Sequence, residues 1–240
     1  MRDWKQAYWL AKFEWKSSIK AFIWTFLFFT VIALFFLESF SAYLDNDYVG
    51  FDVLFIILFA LAPSWLRSKE FQIQKISGEL WASPSLIMLT QLPLSKNVVT
   101  KSRFIVYFAY AFPYQLLMLI ALYVVNPEFQ VMMSPVSHIA FAIIWLAFGV
   151  YVGFIMPVSD SGDRANTKIV TFYSIVLIIG GIGILTFFHF IFGYGFVYWT
   201  VMLSQNWPLL SSVISIVLAF LGFNYWQRYM KRNIDKLDYL

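Results

Sequence analysis

Four titratable side chains fall within or beside long apolar runs of the sequence: Glu38, Asp52, His138 and His189. An ionisable group inside a membrane-thick apolar run is costly, so each is by default a candidate for handling ions or protons. Their placement weakens that case, because all four fall near run ends that the charge pattern below assigns to the outer face, where water solvates a carboxylate unaided. The two histidines lack metal-ligand spacing, and no metal site is expected. No G-x-x-x-x-G-K-S/T loop, H-E-x-x-H, G-x-S-x-G or paired-carboxylate constellation occurs, so no catalytic residue is assigned and the chain is not read as an enzyme. With no cysteine, disulfides, thiol nucleophiles and thiolate metal sites are excluded.

The elements that must position these groups follow from composition. Of 240 residues, 61% are apolar and only 12% charged, too little polar surface to wet a soluble domain of this size. Lipid is the expected solvent, and the chain is read as one membrane domain. The formal charge of +4 does not point to nucleic acid, because the basic residues sit between apolar runs rather than on one patch. The N-terminus, with lysines spread along it and no small-residue cleavage site, is expected to be retained rather than removed as a signal peptide.

Six spans are predicted, each needing about 20 apolar residues. The first covers 21–37 and extends toward Asp45-Asn46-Asp47; the second runs from 49 to 66 and stops at Arg67, Lys69 and Glu70. The third spans 104–125 with Pro113 inside it and ends at Asn126-Pro127-Glu128; the fourth spans 136–158. A polar turn from Ser159 to Arg164 precedes the fifth, which starts near Ile169 and carries Gly180, Gly181 and Gly183. Those glycines suit either close helix approach or local flexibility. Residues 193–206, uncharged and rich in Gly, Tyr and Trp, suit an interfacial or re-entrant excursion, and the sixth span covers 207–226. In this arrangement all 17 lysines and arginines lie on one side, which the positive-inside rule makes the cytoplasm, with both termini there.

Two segments outside the spans carry the functional expectation. At the N-terminus Trp4, Tyr8, Ala11, Trp15 and Ile19 form one helical stripe beside Lys5, Lys12 and Lys16, the pattern of an amphipathic interfacial helix over residues 1–20. It serves either as an anchor or as an elbow that transmits motion to the first span. Residues 67–103 form the longest polar segment in an otherwise loop-poor chain and are expected to meet a partner. Their spacing reads as helical, with Leu80, Trp81, Leu86, Ile87, Leu89 and Leu92 on an apolar face. Leu92-Pro93-Leu94-Ser95-Lys96 signals a turn in which Ser95 caps a helix leading into the third span.

These features together resemble the permease subunit of an ABC-2-type bacterial exporter over nearly the whole chain. The most specific match is the run from Leu89 through Leu92-Pro93-Leu94-Ser95-Lys96 to Arg103, similar to the family's leucine-proline-apolar-serine-basic pattern, although Ser83-Pro84-Ser85 departs from it. The resemblance implies an all-α integral membrane protein with six transmembrane helices, an N-terminal amphipathic elbow and a cytoplasmic coupling helix between the second and third spans. It implies a coupling contact by Gly78, Glu79, Leu80, Leu89, Gln91, Leu92, Pro93 and Lys96 with a separate ATPase, which would hold the ATP and Mg. It also implies a permease dimer in the bacterial cytoplasmic membrane. Its branch exporting amphipathic peptide toxins such as phenol-soluble modulins is similar in length and loop pattern, and lipid, drug or lantibiotic export fits nearly as well. The competing class is an ion-coupled carrier or sensor without an ATPase. A carrier of that kind should show internal repeats and charged or broken helices at mid-membrane, and the sequence shows neither convincingly.

Overall fold

The computed structural model describes residues 2–46, 49–60 and 67–236. Helices dominate: α1 (Arg2–Asn46), α2 (Val49–Ala60), α3 (Pro84–Thr90), α4 (Lys96–Val125), α5 (Pro127–Met132), α6 (Pro135–Tyr151), α7 (Ile155–Ser159), α8 (Thr167–Phe192), α9 (Phe196–Asn206) and α10 (Pro208–Lys236). Among the described residues five helical stretches are long and apolar enough to cross a membrane: Asp3–Ile32, Lys96–Val125, Pro135–Ser159, Thr167–Phe192 and Pro208–Lys236. The chain is a mostly helical protein of membrane character.

The expected second span is described only as α2, 12 residues or about 18 Å of helix, and the remainder of that run, 61–66, lies outside the described residues. The expected N-terminal helix is not a separate element. Arg2–Asn46 contains neither proline nor glycine, so nothing breaks the helix between the interfacial and apolar parts. The fourth span is interrupted: α6 ends at Tyr151 and α7 follows after a turn, where a Cβ on Gly153 would collide with the Tyr107 hydroxyl and the Gly149 carbonyl.

The fold is not purely helical. Residues 67–83, expected as helix, instead form a short 3-10 turn (Lys69–Phe71) and an antiparallel hairpin of β1 (Gln74–Ser77) and β2 (Leu80–Ala82). The hairpin turns at Gly78-Glu79, where Gly78 takes φ +51°, a left-handed conformation that favours glycine. A third strand, β3 (Asp163–Arg164), pairs with β2 and completes a small sheet ordered β1-β2-β3.

Two large clusters make the core. One stacks aromatic rings of α1, α2, α5 and α6 around Phe55, Phe59 and Trp145, with Phe55 and Phe59 parallel at 4.8 Å. The other joins Leu86 of α3, Phe104 and Tyr107 of α4, Phe154 and Val158 at α7, and Met230 and Ile234 of α10. By contrast α8 buries no residue, which fits a helix solvated by lipid along its length.

Candidate functional site

The sheet and α3 form a platform at the end of the molecule that carries the basic residues, held to the helices by buried charges. Arg67 donates twice to Asp160, from Nη1 to Oδ2 at 2.6 Å and from Nη2 to Oδ1 at 2.9 Å. Its Nη1 also lies 3.9 Å from Oε1 of Glu14, whose other oxygen pairs with Nη2 of Arg103. All four side chains are at most 5% exposed. Two positive and two negative charges balance, which is the condition under which burial of such groups is tolerated. Burial works against the charge on Arg67, but the Asp160 carboxylate and, behind it, Glu14 raise its pKa above the ordinary arginine range.

Each member comes from a different element. Glu14 sits on the buried stripe of α1 formed by Ala7, Ala11, Glu14 and Ser18, where the small residues let α1 approach α4 closely. Arg103 lies in the third turn of α4, a helix capped by Ser95, whose Oγ accepts from Val98 N at 3.3 Å as the sequence predicted. Arg67 lies one residue ahead of the 3-10 turn, separated from it by Ser68, and its carbonyl accepts from Gln72 Nε2 at 2.7 Å. Asp160 follows α7, and its carbonyl accepts from Ser83 N at 3.1 Å while the Ser83 hydroxyl donates to the Phe71 carbonyl at 3.2 Å. Gly162 (φ +80°) lets the chain pass against β2, where a Cβ would strike the Trp81 carbonyl.

The residues expected to meet a partner fall on the rim of this platform. Gly78 is the hairpin tip with open space around it, and Glu79 is exposed while its carbonyl accepts from Ala165 N at 2.8 Å. Leu80 is half-buried in β2. Leu89 is half-buried against Leu10 and Val98 of the small third cluster. Gln91, Leu92 and Pro93 are exposed in the turn between α3 and α4, and Lys96 pairs with Asp235 near the end of α10. The structure therefore gathers these residues at one end, on a hairpin and a seven-residue helix rather than on one coupling helix.

On α1 the predicted stripe is split: Trp4, Tyr8 and Ile19 are exposed, Ala11 is buried, and Trp15 is half-buried, stacking edge-on with Tyr8 at 6.0 Å. Lys12 and Lys16 are exposed, and Trp4 lies under the Lys101 ammonium at 4.8 Å. Among the described membrane-end groups, Asp52 and His189 lie close enough to interact electrostatically. Asp52 is fully buried and accepts from Tyr43 Oη (2.8 Å), Phe196 N (2.9 Å) and Val197 N (2.8 Å), capping α9 at its N-terminus. Tyr43 Oη in turn accepts from Tyr198 N at 3.1 Å. The segment 193–206 thus contains an 11-residue helix, too short to cross a bilayer. His138 stacks on Tyr123 at 4.5 Å, and His189 lies in the last turn of α8, its carbonyl accepting from Gly193 N. The Glu38 side chain lies outside the described residues. Among the described residues no three His, Cys, Asp or Glu converge on a metal position.

Glu14, Arg67, Arg103 and Asp160 were not singled out by the sequence reading, which counted both arginines as juxtamembrane charges. The available signal was Glu14 itself, an acid in register with Ala7, Ala11 and Ser18 on a helix otherwise lined with lysines. No family model matches the chain, and no curated protein or solved structure is found similar to it.

Proposed function

We propose that this chain is the membrane-spanning permease subunit of an ATP-driven bacterial exporter of the ABC-2 type. It works as a dimer with a separate ATPase that carries ATP and Mg, and it moves a hydrophobic or amphipathic substrate, such as a peptide toxin, out across the cytoplasmic membrane. The observation that supports this reading is the platform. An exposed rim made by Gly78 and Glu79 at the hairpin tip and by Gln91, Leu92, Pro93 and Lys96 after α3 is bound to α1, α4 and the end of α7 through the Glu14, Arg67, Arg103 and Asp160 cluster. A push on the rim is then passed to three membrane helices at once, because the charges resist separation: breaking one partner strands another in a low-dielectric interior. In this proposal the termini and the platform face the cytoplasm, as the distribution of lysine and arginine requires.

The test is co-expression with an ATP-binding subunit encoded beside the gene, followed by co-purification. Association that is lost on replacing Gln91, Leu92 and Pro93 with Gly-Ser-Gly, while the permease keeps its elution position, supports the proposal. A well-folded chain with no ATPase partner, or association indifferent to the rim, favours an ion-coupled carrier or a sensor.

A further inference from the structure

The last turns of α10 carry an open groove of about 760 Å³, lined wholly by side chains of that helix. The opposite face of the helix is fixed: Met230 and Ile234 are buried in the second cluster, Trp226 Nε1 donates to the Tyr151 carbonyl at 2.7 Å, and Asp235 pairs with Lys96. That attachment turns Leu221, Tyr225, Arg228 and Arg232 outward on one stripe, at steps of four, three and four residues, and all four are exposed. Beside them Tyr229 stacks on Tyr225 at 6.2 Å, with the rings 27° apart. Neither Arg228 nor Arg232 makes an ion pair among the described residues, and the one acid of α10, Asp235, is engaged by Lys96. The groove therefore holds two uncompensated cations above an apolar floor.

We infer that this stripe binds an anionic glycerophospholipid of the cytoplasmic leaflet, its phosphate held between Arg228 and Arg232 and its chains lying along Phe220 and Leu221. Arginine's planar fork matches a pair of phosphate oxygens, and two unpaired arginines one turn apart call for a ligand of net negative charge. A zwitterionic lipid brings its own cation into the same field, next to Lys231 as well, and loses that advantage. From Leu221 to Arg232 the stripe rises about 17 Å, more than the roughly 6 Å of headgroup layer in one leaflet. It passes from charge through tyrosine into hydrocarbon, in the order in which a phospholipid does. Arginines that only fix topology need the cytoplasmic side and no particular direction around the helix, whereas these two share a groove with stacked tyrosines. This inference goes beyond the exporter reading and needs neither an ATPase nor transport; it uses only the cytoplasmic placement of the basic end.

The experiment titrates the full chain, in a neutral detergent, with phosphatidylglycerol or with phosphatidylcholine of the same chains, and counts bound lipid by native mass spectrometry. Phosphatidylglycerol is expected to be retained about tenfold better or more. Arg228→Gln with Arg232→Gln should bring it down to the phosphatidylcholine level, a loss of about fivefold per arginine. Lys5→Gln with Lys12→Gln makes the same charge change at exposed positions of α1 and should alter retention less than twofold. Glycerol 1-phosphate, which has the phosphate but no chains, should not displace the lipid. Equal retention of the two lipids, unaltered retention in the α10 pair, an equal loss in the α1 pair, or displacement by glycerol 1-phosphate overturns the proposal. So does conversion of a dimer to a monomer in the α10 pair without loss of lipid, which assigns the face to a second copy of the chain.

Discussion

Arg67 and Asp160 stand 93 residues apart in the chain and meet in a two-pronged, fully desolvated ion pair, with both bonds at or below 2.9 Å. That contact ties the start of the platform to the turn after α7. Asp160→Asn leaves the Arg67 charge buried and short of its partner, and is expected to cost about 3–5 kcal/mol. Thermal unfolding in detergent, followed by tryptophan fluorescence, reads the loss. The double replacement Arg67→Met with Asp160→Leu should cost much less than the sum of the single changes, because no orphan charge remains.

Asp52 and Tyr43 predict a smaller, local effect. Asp52→Asn weakens the capping of α9 and should destabilise by about 1–2 kcal/mol. Hydrogen exchange at Phe196 and Val197 should accelerate while exchange in α4 stays unchanged. Gly195→Ala should mimic it, because the new Cβ meets the Tyr43 hydroxyl and the Asp52 carboxylate.

The exposed glycines of α8 predict the opposite sign. A Cβ on Gly181 meets nothing within 4 Å. Gly181→Ala is therefore expected to stabilise by about 0.5–1 kcal/mol through backbone entropy and helix propensity. A loss of stability in detergent would mean that α8 packs against another helix in the working assembly.

Orientation can be read directly, since the chain has no cysteine of its own. A single cysteine at Gln91 is expected to react with a membrane-impermeant maleimide only after the cells are opened. One at Val131, 90% exposed on α5 just beyond the far end of α4, should react in intact cells.

The helices were legible in the sequence where local signals decide them. Ser95 and Asn126 mark the two ends of α4 because a side-chain cap is a contact over two or three residues. The hairpin was not. β1 and β2 are four and three residues long, and β2 is completed by Asp163 and Arg164, some eighty positions away. So short a strand carries no periodicity of its own, and Leu80 and Trp81 also satisfy a helical count. Arg103 shows a different failure. Beside an apolar run, an arginine reads as a water-facing flank charge, and only the approach of Glu14 from α1 turns it into a buried group. The membrane-end carboxylate Asp52 was visible as an anomaly, but its purpose depended on α9 folding back toward it.

The unbroken length of α1 has a mechanical meaning. Forty-five residues make a rod of about 68 Å, more than twice the hydrocarbon thickness of a bilayer. A rod that long cannot reorient at one end alone. Rotation by about 10° about its midpoint sweeps each tip roughly 6 Å in opposite directions. With Glu14 clamped to the platform on one side and Phe40 and Tyr43 wedged among aromatic rings on the other, the helix is a lever. Any displacement of the charged cluster reappears, reversed in direction, at the Tyr43 end of α1.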